Sequence, residues 1–366
     1  MKKTVHILLF LLCLTVFHSC NEELEREQHQ HRWTPSTIVL EEGCTYRILD
    51  PDGSDTIEWT NDNPSAATVD ENGFVTALKE GETTIKTGTV TVFIVVIKHQ
   101  EECLPGVFSV SNTKKVRFSR GNLQATYHED SRSYSWAIAD YQYDIVWGGQ
   151  GRLADIVTGN NTIGSQTDGA RVDLFGWTKD GLYDDGARRY GINDSKDNSD
   201  YATSSDDDCC DWGKTIDGNE NWRLLTSDEW KYLLETRSTS FGPDKRYTYV
   251  YLATRGVYGL MIFPDHYIWP SDIGTQTFIF NRASSEAHVD DRTFYALLDA
   301  GAVFLPAAGI RGGSVVLNNY MGAYWSTTPA DSEKAHYMCF SPEYVLPQDI
   351  SSRSQGCSVR LVKECE

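Results

Sequence analysis

Between Pro35 and Lys98 the chain alternates apolar and polar residues in short runs, and glycines interrupt the pattern at close intervals. Successive side chains of a β-strand point to opposite faces, so this alternation predicts strands that are buried on one side. The glycines supply the turns between the strands. The last strand of the series is the run TVTVFIVVIK. Residues 35–99 are therefore predicted to form a small, all-β, antiparallel sandwich.

This segment resembles the group 2 bacterial immunoglobulin-like domain. The resemblance is carried by LEEGCTYRI, by IEWTNDNPSAATVDENGFVTALKEGETTI and by the closing valine-rich strand. The residues that occupy the family's positions are Trp59, Ala67, Val69, Gly73, Val75, Ala77, Gly81 and Ile85. Such domains are usually spacers and occasionally adhesive, so the resemblance implies display on a surface and not chemistry.

Residues 104–366 are predicted to form a second, larger domain that opens and closes with strand-like runs. Thr226 and Glu229 have the spacing of a capping box, which predicts the start of a helix. The helix face that packs on the core is predicted to carry Trp230, Leu233 and Leu234. A second helix is predicted from Arg292 to Ala300, with Gly301 at its end.

The rest of this domain consists largely of long loops rich in glycine, aspartate and asparagine. A compact domain needs far less irregular chain than this. Loops of such length usually carry binding residues. The sequence therefore predicts a binding role for the second domain.

The second domain resembles the C-type lectin-like fold, in the version shared by sulfatase-modifying (formylglycine-generating) proteins and by variable ligand-binding proteins of bacterial surfaces. The run RLLTSDEW at 223–230 is close to the R-L-P-T-E-x-E-W of the sulfatase-modifying group. A family of paralogous bacterial surface lipoprotein domains is similar over most of 106–363, through GVFSVS, KVRFSRGNLQ, DLFGW, DWG, WRLLTSDEW, GAVFLPAAG, YWST and SVRLV. The chain is thus expected to be a multi-domain protein: an all-β immunoglobulin-like sandwich followed by an α+β C-type lectin-like domain with long irregular loops.

In the ligand-binding proteins that this domain resembles, the contact residues project from the last part of the fold and flank the YWS motif. Carried over by position, the ligand-binding residues are Asn319, Tyr320, Tyr324, Trp325, Thr327, Asp331, His336 and Tyr344. Tyrosine and tryptophan offer large rigid contact areas, and the polar residues orient a ligand through hydrogen bonds. Tyr324 and Trp325 are also compatible with a core position, which is the role favoured for Trp325.

Cys339 and Cys357 raise the question of an enzyme, because formylglycine-generating enzymes use two C-terminal cysteines. Here they stand in HYMCF and QGCSVRL, without the expected tryptophan and arginine neighbours, and Leu225 replaces the usual proline of the helix motif. A structural disulfide between neighbouring strands explains the pair equally well.

The chain contains no H-E-x-x-H, G-x-S-x-G, P-loop or dinucleotide-binding pattern. No enzymatic activity is predicted, and a formylglycine-generating type of oxidase is the least favoured alternative.

An acidic segment, SSDDDCCDWG, surrounds Cys209 and Cys210 with Asp206, Asp207, Asp208 and Asp211. Carboxylates at this density could bind Ca²⁺, but the Asp-x-Asp-x-Asp-Gly ladder is missing. A solvated acidic loop is the favoured interpretation, with Ca²⁺ as the alternative. No metal site and no cofactor are predicted.

Residues 1–19 have the order of a lipoprotein signal peptide, with an apolar run from Ile7 to Phe17 and Ser19 before Cys20. The pattern predicts a lipid anchor on Cys20, which makes the membrane a partner of the chain. About eleven apolar residues are too few to cross roughly 30 Å of hydrocarbon as a helix. The residues before Ser19 fit the cleavage pattern imperfectly, so an ordinary cleaved signal is the alternative.

Residues 20–34 are predicted to be an acidic tether that is too poor in apolar residues to fold alone. Acidic residues after a lipidated cysteine resemble the signal that sends some Gram-negative lipoproteins to the outer face of the outer membrane. The predicted location is therefore the outer membrane, with the protein facing the cell exterior.

Seven cysteines remain after Cys13 and Cys20, which are assigned to the signal and the anchor. Export permits disulfides, although an odd number leaves one thiol unpaired. Cys44 and Cys103 are expected at one pole of the sandwich, where a bridge is predicted, with two unrelated thiols as the alternative.

The chain has a formal charge of −19 without a basic stripe, so it would repel phosphate backbones and nucleic acid is excluded as a partner. Its nineteen tyrosines and ten tryptophans could either pack in a core or contact extracellular ligands. The sequence predicts a cell-surface protein that binds a glycan, peptide or protein, in a role such as adhesion. A structural or accessory subunit of a surface assembly is the alternative.

Overall fold

The computed structural model divides the chain into two compact units, one ending at Glu101 and one beginning at Glu102, with Trp269–Ile273 assigned to the first. It describes residues 33–49, 58–88, 90–100, 102–146, 160, 163, 167–178, 191–192, 194–197, 211–215, 221–282, 287–317 and 320–365. Both units are built mostly of β-sheet, and helices are few in the described residues.

The first unit is a two-sheet sandwich. Its strands are β1 (Thr37–Glu41), β2 (Thr45–Arg47), β3 (Thr60–Asn61), β4 (Ala67–Val69), β5 (Phe74–Ala77), β6 (Gly81–Thr87) and β7 (Val90–Ile97). One sheet has the order β1-β7-β6-β3 and the other the order β2-β5-β4. The pairing is antiparallel except between β1 and β7, which run parallel. Alternate side chains from both sheets meet in one core, as the alternation of the sequence predicts.

A tight turn joins β4 to β5 within one of the two sheets. The Asp70 carboxylate accepts a hydrogen bond of 2.9 Å from the backbone N–H of Phe74. Gly73 lies between them with φ +81°, the left-handed region that favours glycine. A Cβ at this position would lie 2.5 Å from the carbonyl oxygen of Ile48 and 3.0 Å from the ring of Trp59. The turn therefore requires glycine both for its backbone angle and for the space.

The second unit contains fifteen strands within its described residues. They are β8 (Phe108–Ser109), β9 (Lys115–Phe118), β10 (Leu123–His128), β11 (Ser133–Ile138), β12 (Arg171–Val172), β13 (Tyr247–Leu252), β14 (Val257–Ile262), β15 (Ala287–Val289), β16 (Val303–Pro306), β17 (Ile310–Gly312), β18 (Val315–Leu317), β19 (Gly322–Pro329), β20 (Lys334–Phe340), β21 (Val345–Ser352) and β22 (Val362–Cys365). The sheets have the orders β11-β10-β12, β15-β13-β14-β16, β17-β18, β19-β20-β21 and β22-β9-β8. The last strand, β22, pairs antiparallel with β9 near the start of the unit.

The paired strands β19 and β20 are buried on both faces. One face contributes to a core cluster through Ala323, Trp325, Ala335, Tyr337 and Cys339. The opposite face contributes to a second cluster through Tyr324, Met338 and Phe340. Because neighbouring residues of a strand point in opposite directions, these two strands separate the two core clusters from each other.

The first predicted helix is confirmed. Helix α1 is Trp212–Thr215, and α2 is Ser227–Lys231, which continues as a π-helical turn over Tyr232–Thr236. Thr226 caps α2 by accepting from the backbone N–H of Glu229 at 3.1 Å, and the Glu229 carboxylate accepts from the N–H of Thr226 at 2.9 Å. The three predicted core residues of this helix are almost fully buried: Trp230, Leu233 and Leu234.

The second predicted helix is α3, Asp291–Asp299, which begins one residue earlier than expected. Asp290 caps it through a 2.8 Å hydrogen bond from the N–H of Thr293, and Gly301 follows it with φ +95°. Phe294 is buried on the core side of the helix. In the part of the chain that the structure describes, every helix is too short or too polar to span a bilayer.

Gly73→Ala is expected to destabilise the first unit by about 2–4 kcal/mol, because the new methyl group meets a carbonyl oxygen and the backbone angle disfavours alanine. Gly43→Ala is the matched control, because Gly43 has φ +86° but open space at its Cβ position. Its cost should be about 1 kcal/mol. Hydrogen–deuterium exchange of β2 and β5 across a urea series measures how much each variant lowers the free energy of unfolding. Equal losses in the two variants would contradict the predicted clash.

Candidate functional site

The hairpin β19–β20 carries most of the predicted ligand-binding residues, and it has two well-separated ends. Gly322 pairs with Phe340 at one end, and Ala335 pairs with Pro329 near the other. Eight residues of strand span about 26 Å. Asn319, which was also predicted to bind the ligand, lies outside the described residues.

Tyr324, Trp325 and Thr327 are buried, so the prediction that they contact a ligand directly is corrected. The Tyr324 hydroxyl donates to the carbonyl oxygen of Pro306 at 2.7 Å. The Trp325 indole donates to the carbonyl oxygen of Phe175, also at 2.7 Å. Their polar atoms are satisfied inside the protein, and these two side chains fill the two cores on either side of the sheet.

Asp331 and His336 lie toward the far end of the hairpin from Tyr320, so the predicted residues do not form one contact surface. The Asp331 carboxylate accepts hydrogen bonds from the backbone N–H groups of Glu333 and Lys334, at 2.8 and 2.7 Å. These bonds hold the pKa of Asp331 below its ordinary value. The carboxylate thus builds the turn between the strands. His336 is half-buried, and its Nδ1 atom has no hydrogen-bond partner among the described residues.

Tyr320 and Tyr344 lie at the opposite end, where β19 begins and the turn after β20 is made. The Tyr320 side chain is 44% exposed, and its backbone carbonyl oxygen accepts a 2.8 Å hydrogen bond from the hydroxyl of Tyr249. Tyr344 is half-buried, with its hydroxyl 3.7 Å from the sulfur of Met321. Of the predicted residues, these two are placed where a ligand could reach them from one side.

A row of aromatic side chains, here called the aromatic row, consists of His288, Tyr251 and Tyr258 on three neighbouring strands. Tyr251 pairs directly with Tyr258 across β13 and β14, and with His288 across β13 and β15. The ring centroids of Tyr251 and Tyr258 are 4.4 Å apart, and those of Tyr251 and His288 are 5.1 Å apart. The two tyrosines are half-buried and the histidine is exposed.

Tyr249 connects the aromatic row to Tyr320. Its buried ring stacks on Tyr258 at 6.1 Å with an interplanar angle of 19°, while its hydroxyl reaches the carbonyl oxygen of Tyr320. The aromatic row and Tyr320 together form the candidate functional site, which we call the aromatic site. Rings and hydroxyl groups of this kind can hold a ligand by contact and hydrogen bonding.

The aromatic row was missed at the sequence level, although one signal for it was present. Tyrosines alternate in YTYVYL at 247–252, and a further tyrosine follows in VYGL at 257–260. Period-two alternation places the first three tyrosines on one face of a strand. The pattern could not show that His288, which is distant in the chain, is the cross-strand partner of Tyr251.

Cys339 and Cys357 are free and buried, so the predicted disulfide between them is absent. Cys339 pairs with Ala323 on one side of β19, whereas Ser358, next to Cys357, pairs with Tyr324 on its other side. One strand therefore lies between the two cysteines, which separates their Cα atoms by about 10 Å, beyond the reach of a disulfide. Burial raises the pKa of Cys339 to about 12 and raises that of Cys357 as well. Both remain neutral thiols, which are poor nucleophiles.

The other predicted disulfide is also absent. Cys44 and Cys103 are buried cysteines outside any disulfide, and they belong to different compact units. Burial raises the pKa of Cys103 to about 12. The proposed anchor residue, Cys20, lies outside the described residues.

Among the four aspartates of the acidic segment, Asp211 lies within the described residues, whereas Asp206, Asp207 and Asp208 do not. The Asp211 carboxylate accepts from the backbone N–H groups of Leu224 at 2.9 Å and Gly213 at 3.1 Å. Asp211 thus ties the start of α1 to the chain before α2. Within the described ranges, no group of three or more histidine, cysteine, aspartate or glutamate side chains is arranged to hold a metal ion.

In the folded protein, we expect Cys339 and Cys357 to resist iodoacetamide, because they are buried and their pKa values are raised. Half-buried Cys365 should be alkylated faster. After unfolding without a reductant, all three should be modified, as measured by peptide mass spectrometry. A cross-linked pair of peptides containing Cys339 and Cys357 would contradict the free-thiol arrangement.

Comparisons with known proteins bear mainly on the first unit. No curated protein matches the chain. Among solved structures, the chain is similar to the S-layer protein rSbsC(31-844), with 17% sequence identity and a TM-score of 0.15. That match covers 29% of this chain and only 20% of the other, and a TM-score this low supports no argument about fold.

The matching family model is the Bacterial Ig-like domain (group 2), over residues 34–93. This range includes the strands of both sheets of the first unit, up to the middle of β7. It also includes the residues that carried the resemblance, of which Ala67, Val75 and Ile85 are fully buried. Residues 34–93 therefore form a group 2 bacterial Ig-like domain.

Proposed function

We propose that the protein is lipid-anchored in the outer membrane, faces the cell exterior, and binds an extracellular glycan, peptide or protein through its second unit. The signal-like residues 1–19, the cysteine at position 20 and the acidic tether support the anchored location. The Ig-like domain at 34–93 supports display, because such domains usually serve as spacers.

The observation that carries the binding role is the aromatic site. Tyr251 and Tyr258 stand on paired strands, so their positions are fixed before a ligand arrives, whereas Tyr320 lies in the turn before β19. Tyrosine loses little conformational entropy on binding and offers both a ring and a hydroxyl group. This arrangement presents rings and hydroxyl groups, which can hold a ligand by contact and hydrogen bonding.

We further propose that the second unit has a C-type lectin-like fold. Three features support this assignment: the capped helix α2 at the RLLTSDEW run, the pairing of β22 with β9 near the start of the unit, and the long segments that connect its short strands. In that fold, irregular chain around a fixed β-scaffold provides the binding surface.

A structural or accessory subunit of a surface assembly is the second candidate. The hairpin β17–β18 favours this assembly role, because its Val315 and Leu317 side chains are each 53% exposed. Exposed apolar side chains on a strand are a common site of contact with another protein. An enzyme of the formylglycine-generating type has less support, because both C-terminal cysteines are buried and one strand separates them.

Tyr320→Ala is expected to weaken ligand binding about tenfold, because it removes an exposed aromatic contact. The backbone carbonyl that receives the Tyr249 hydroxyl remains, so stability should change little. Asp331→Ala, at the other end of the hairpin, is the control and should bind normally. The full mature chain and both variants would be tested on arrays of glycans, peptides and extracellular proteins. Saturable binding by none of these classes would favour the assembly role.

The anchor is tested separately by metabolic labelling with palmitate. We expect the wild-type chain to be labelled and to fractionate with the outer membrane, whereas Cys20→Ala should lose the label, since the acylated sulfur is gone. Cys13→Ala, inside the apolar run, is the matched control and should keep it. An unlabelled wild-type chain would contradict the anchor.

A further inference from the structure

We infer that the second unit binds a chloride ion in its interior, beside the Nε atom of Arg360. This site is separate from the aromatic site and does not depend on the proposed function. The Arg360 side chain lies in the chain before β22 and is 1% exposed. Its Nε atom is buried without a hydrogen-bond partner in the part of the chain that the structure describes. A buried donor in this state has lost its bonds to water without regaining one, so it favours an acceptor from solution.

The other two nitrogens of the Arg360 guanidinium are held by long hydrogen bonds. Nη1 donates to Oδ1 of Asn122 at 3.4 Å. Nη2 donates to the carbonyl oxygen of Arg120 at 3.1 Å and to Oε1 of Gln142 at 3.5 Å. That Gln142 oxygen accepts a much shorter bond, 2.7 Å, from the backbone N–H of Phe304. Two of the three bonds to the guanidinium exceed the ordinary range, so the protein orients this group but solvates it poorly.

The positive charge of Arg360 is retained and is not balanced by a carboxylate. Burial lowers the pKa of Arg360 to about 10, which still leaves it protonated at neutral pH. Among the described residues, the titratable group that acts on this charge is Tyr324. The Tyr324 hydroxyl donates to the carbonyl oxygen of Pro306 at 2.7 Å, and burial raises its pKa. Tyr324 therefore stays neutral and supplies no counter-charge.

Arg237 shows how the same unit buries a guanidinium that has its own counter-ion. Its side chain is almost fully buried, and Nη1 lies 3.0 Å from Oδ1 of Asp265. Nε donates to the carbonyl oxygen of Leu233 at 2.8 Å, and Nη2 donates to that of Phe263 at 2.6 Å. Each of its three nitrogens has a close acceptor, and one acceptor is a carboxylate. Arg360 has neither a carboxylate nor an acceptor at Nε within the described residues.

A small anion meets both requirements of Arg360 at once. A water molecule could accept the Nε–H bond, but it would leave the buried charge uncompensated, which is costly. The surroundings favour a single-atom ion, because a Cβ at Gly121 would lie 2.4 Å from the carbonyl oxygen of Ala139, so the chain beside Asn122 is closely packed. The formal charge of −19 opposes this weakly, because salt screens exposed charges beyond about 8 Å.

The site is tested directly by crystallising the full mature chain in sodium bromide and measuring anomalous diffraction at the bromine absorption edge. Bromide replaces chloride and identifies its position. We expect an anomalous peak beside Nε of Arg360. A water molecule at this position without an anomalous signal, or bromide confined to the protein surface, would overturn the inference. The experiment uses the wild-type chain, so it does not depend on the folding of any variant.

Thermal unfolding separates a functional ion from one bound at crystal concentration only. We would replace sodium gluconate with sodium chloride at constant ionic strength. Raising chloride from about 10 to about 300 mM should raise the unfolding midpoint of the second unit by about 4 °C, because a bound ion stabilises the folded state. Arg360→Met removes the charge and should abolish this rise. Arg237→Met is the matched control and should keep it, whatever its own stability, because Asp265 is the counter-ion there.

The inference requires both the bromide peak and the chloride-dependent midpoint. A peak without the rise in the wild-type chain would identify an adventitious ion only and would overturn it. A rise that persists in Arg360→Met would place the ion elsewhere, with the same consequence. Loss of the rise in Arg237→Met as well as in Arg360→Met would also contradict a site specific to Arg360.

Discussion

The burial of β19 and β20 on both faces is the constraint on which the second unit depends. Odd-numbered residues of β19 around Trp325 enter one core, and their even-numbered neighbours, such as Tyr324, enter the other. A strand buried on both sides has no face left for a ligand. The proposed recognition of a ligand is therefore confined to the ends of the hairpin and to neighbouring sheets. This is why the aromatic site includes Tyr320, at the start of β19, and not the YWS motif itself.

The features that could be predicted from the sequence are the local ones. The capping box at Thr226 and Glu229 spans one helical turn, and the alternation in 35–98 follows from the geometry of a single strand. The ligand-binding residues around Trp325 could not be assigned correctly in this way. A run that alternates between two cores looks the same in sequence as a run that alternates between core and solvent. Whether a strand is buried on one face or on both depends on what covers the second face of its sheet. The residues that cover this face are distant in the chain.

Long-range pairing explains the remaining differences. The disulfide between Cys339 and Cys357 was predicted from strands assumed to be adjacent, and the structure places β19 between them. The aromatic row depends equally on pairing, since β15 joins β13 across a long connection. Spacing in the sequence carries no information on such neighbours. The order of the strands therefore explains both the absence of the disulfide and the position of the proposed binding surface.

The parallel pairing of β1 with β7 has a mechanical consequence for the Ig-like domain. Parallel strands run in one direction, so the start of β1 and the end of β7 lie at opposite poles of the domain. Tension applied between those two points pulls the strands along each other and strains all five residue pairs, from Thr37 with Phe93 to Glu41 with Ile97, at once. Antiparallel end strands would instead peel apart one pair at a time. The domain is thus suited to transmit force along the chain without unravelling.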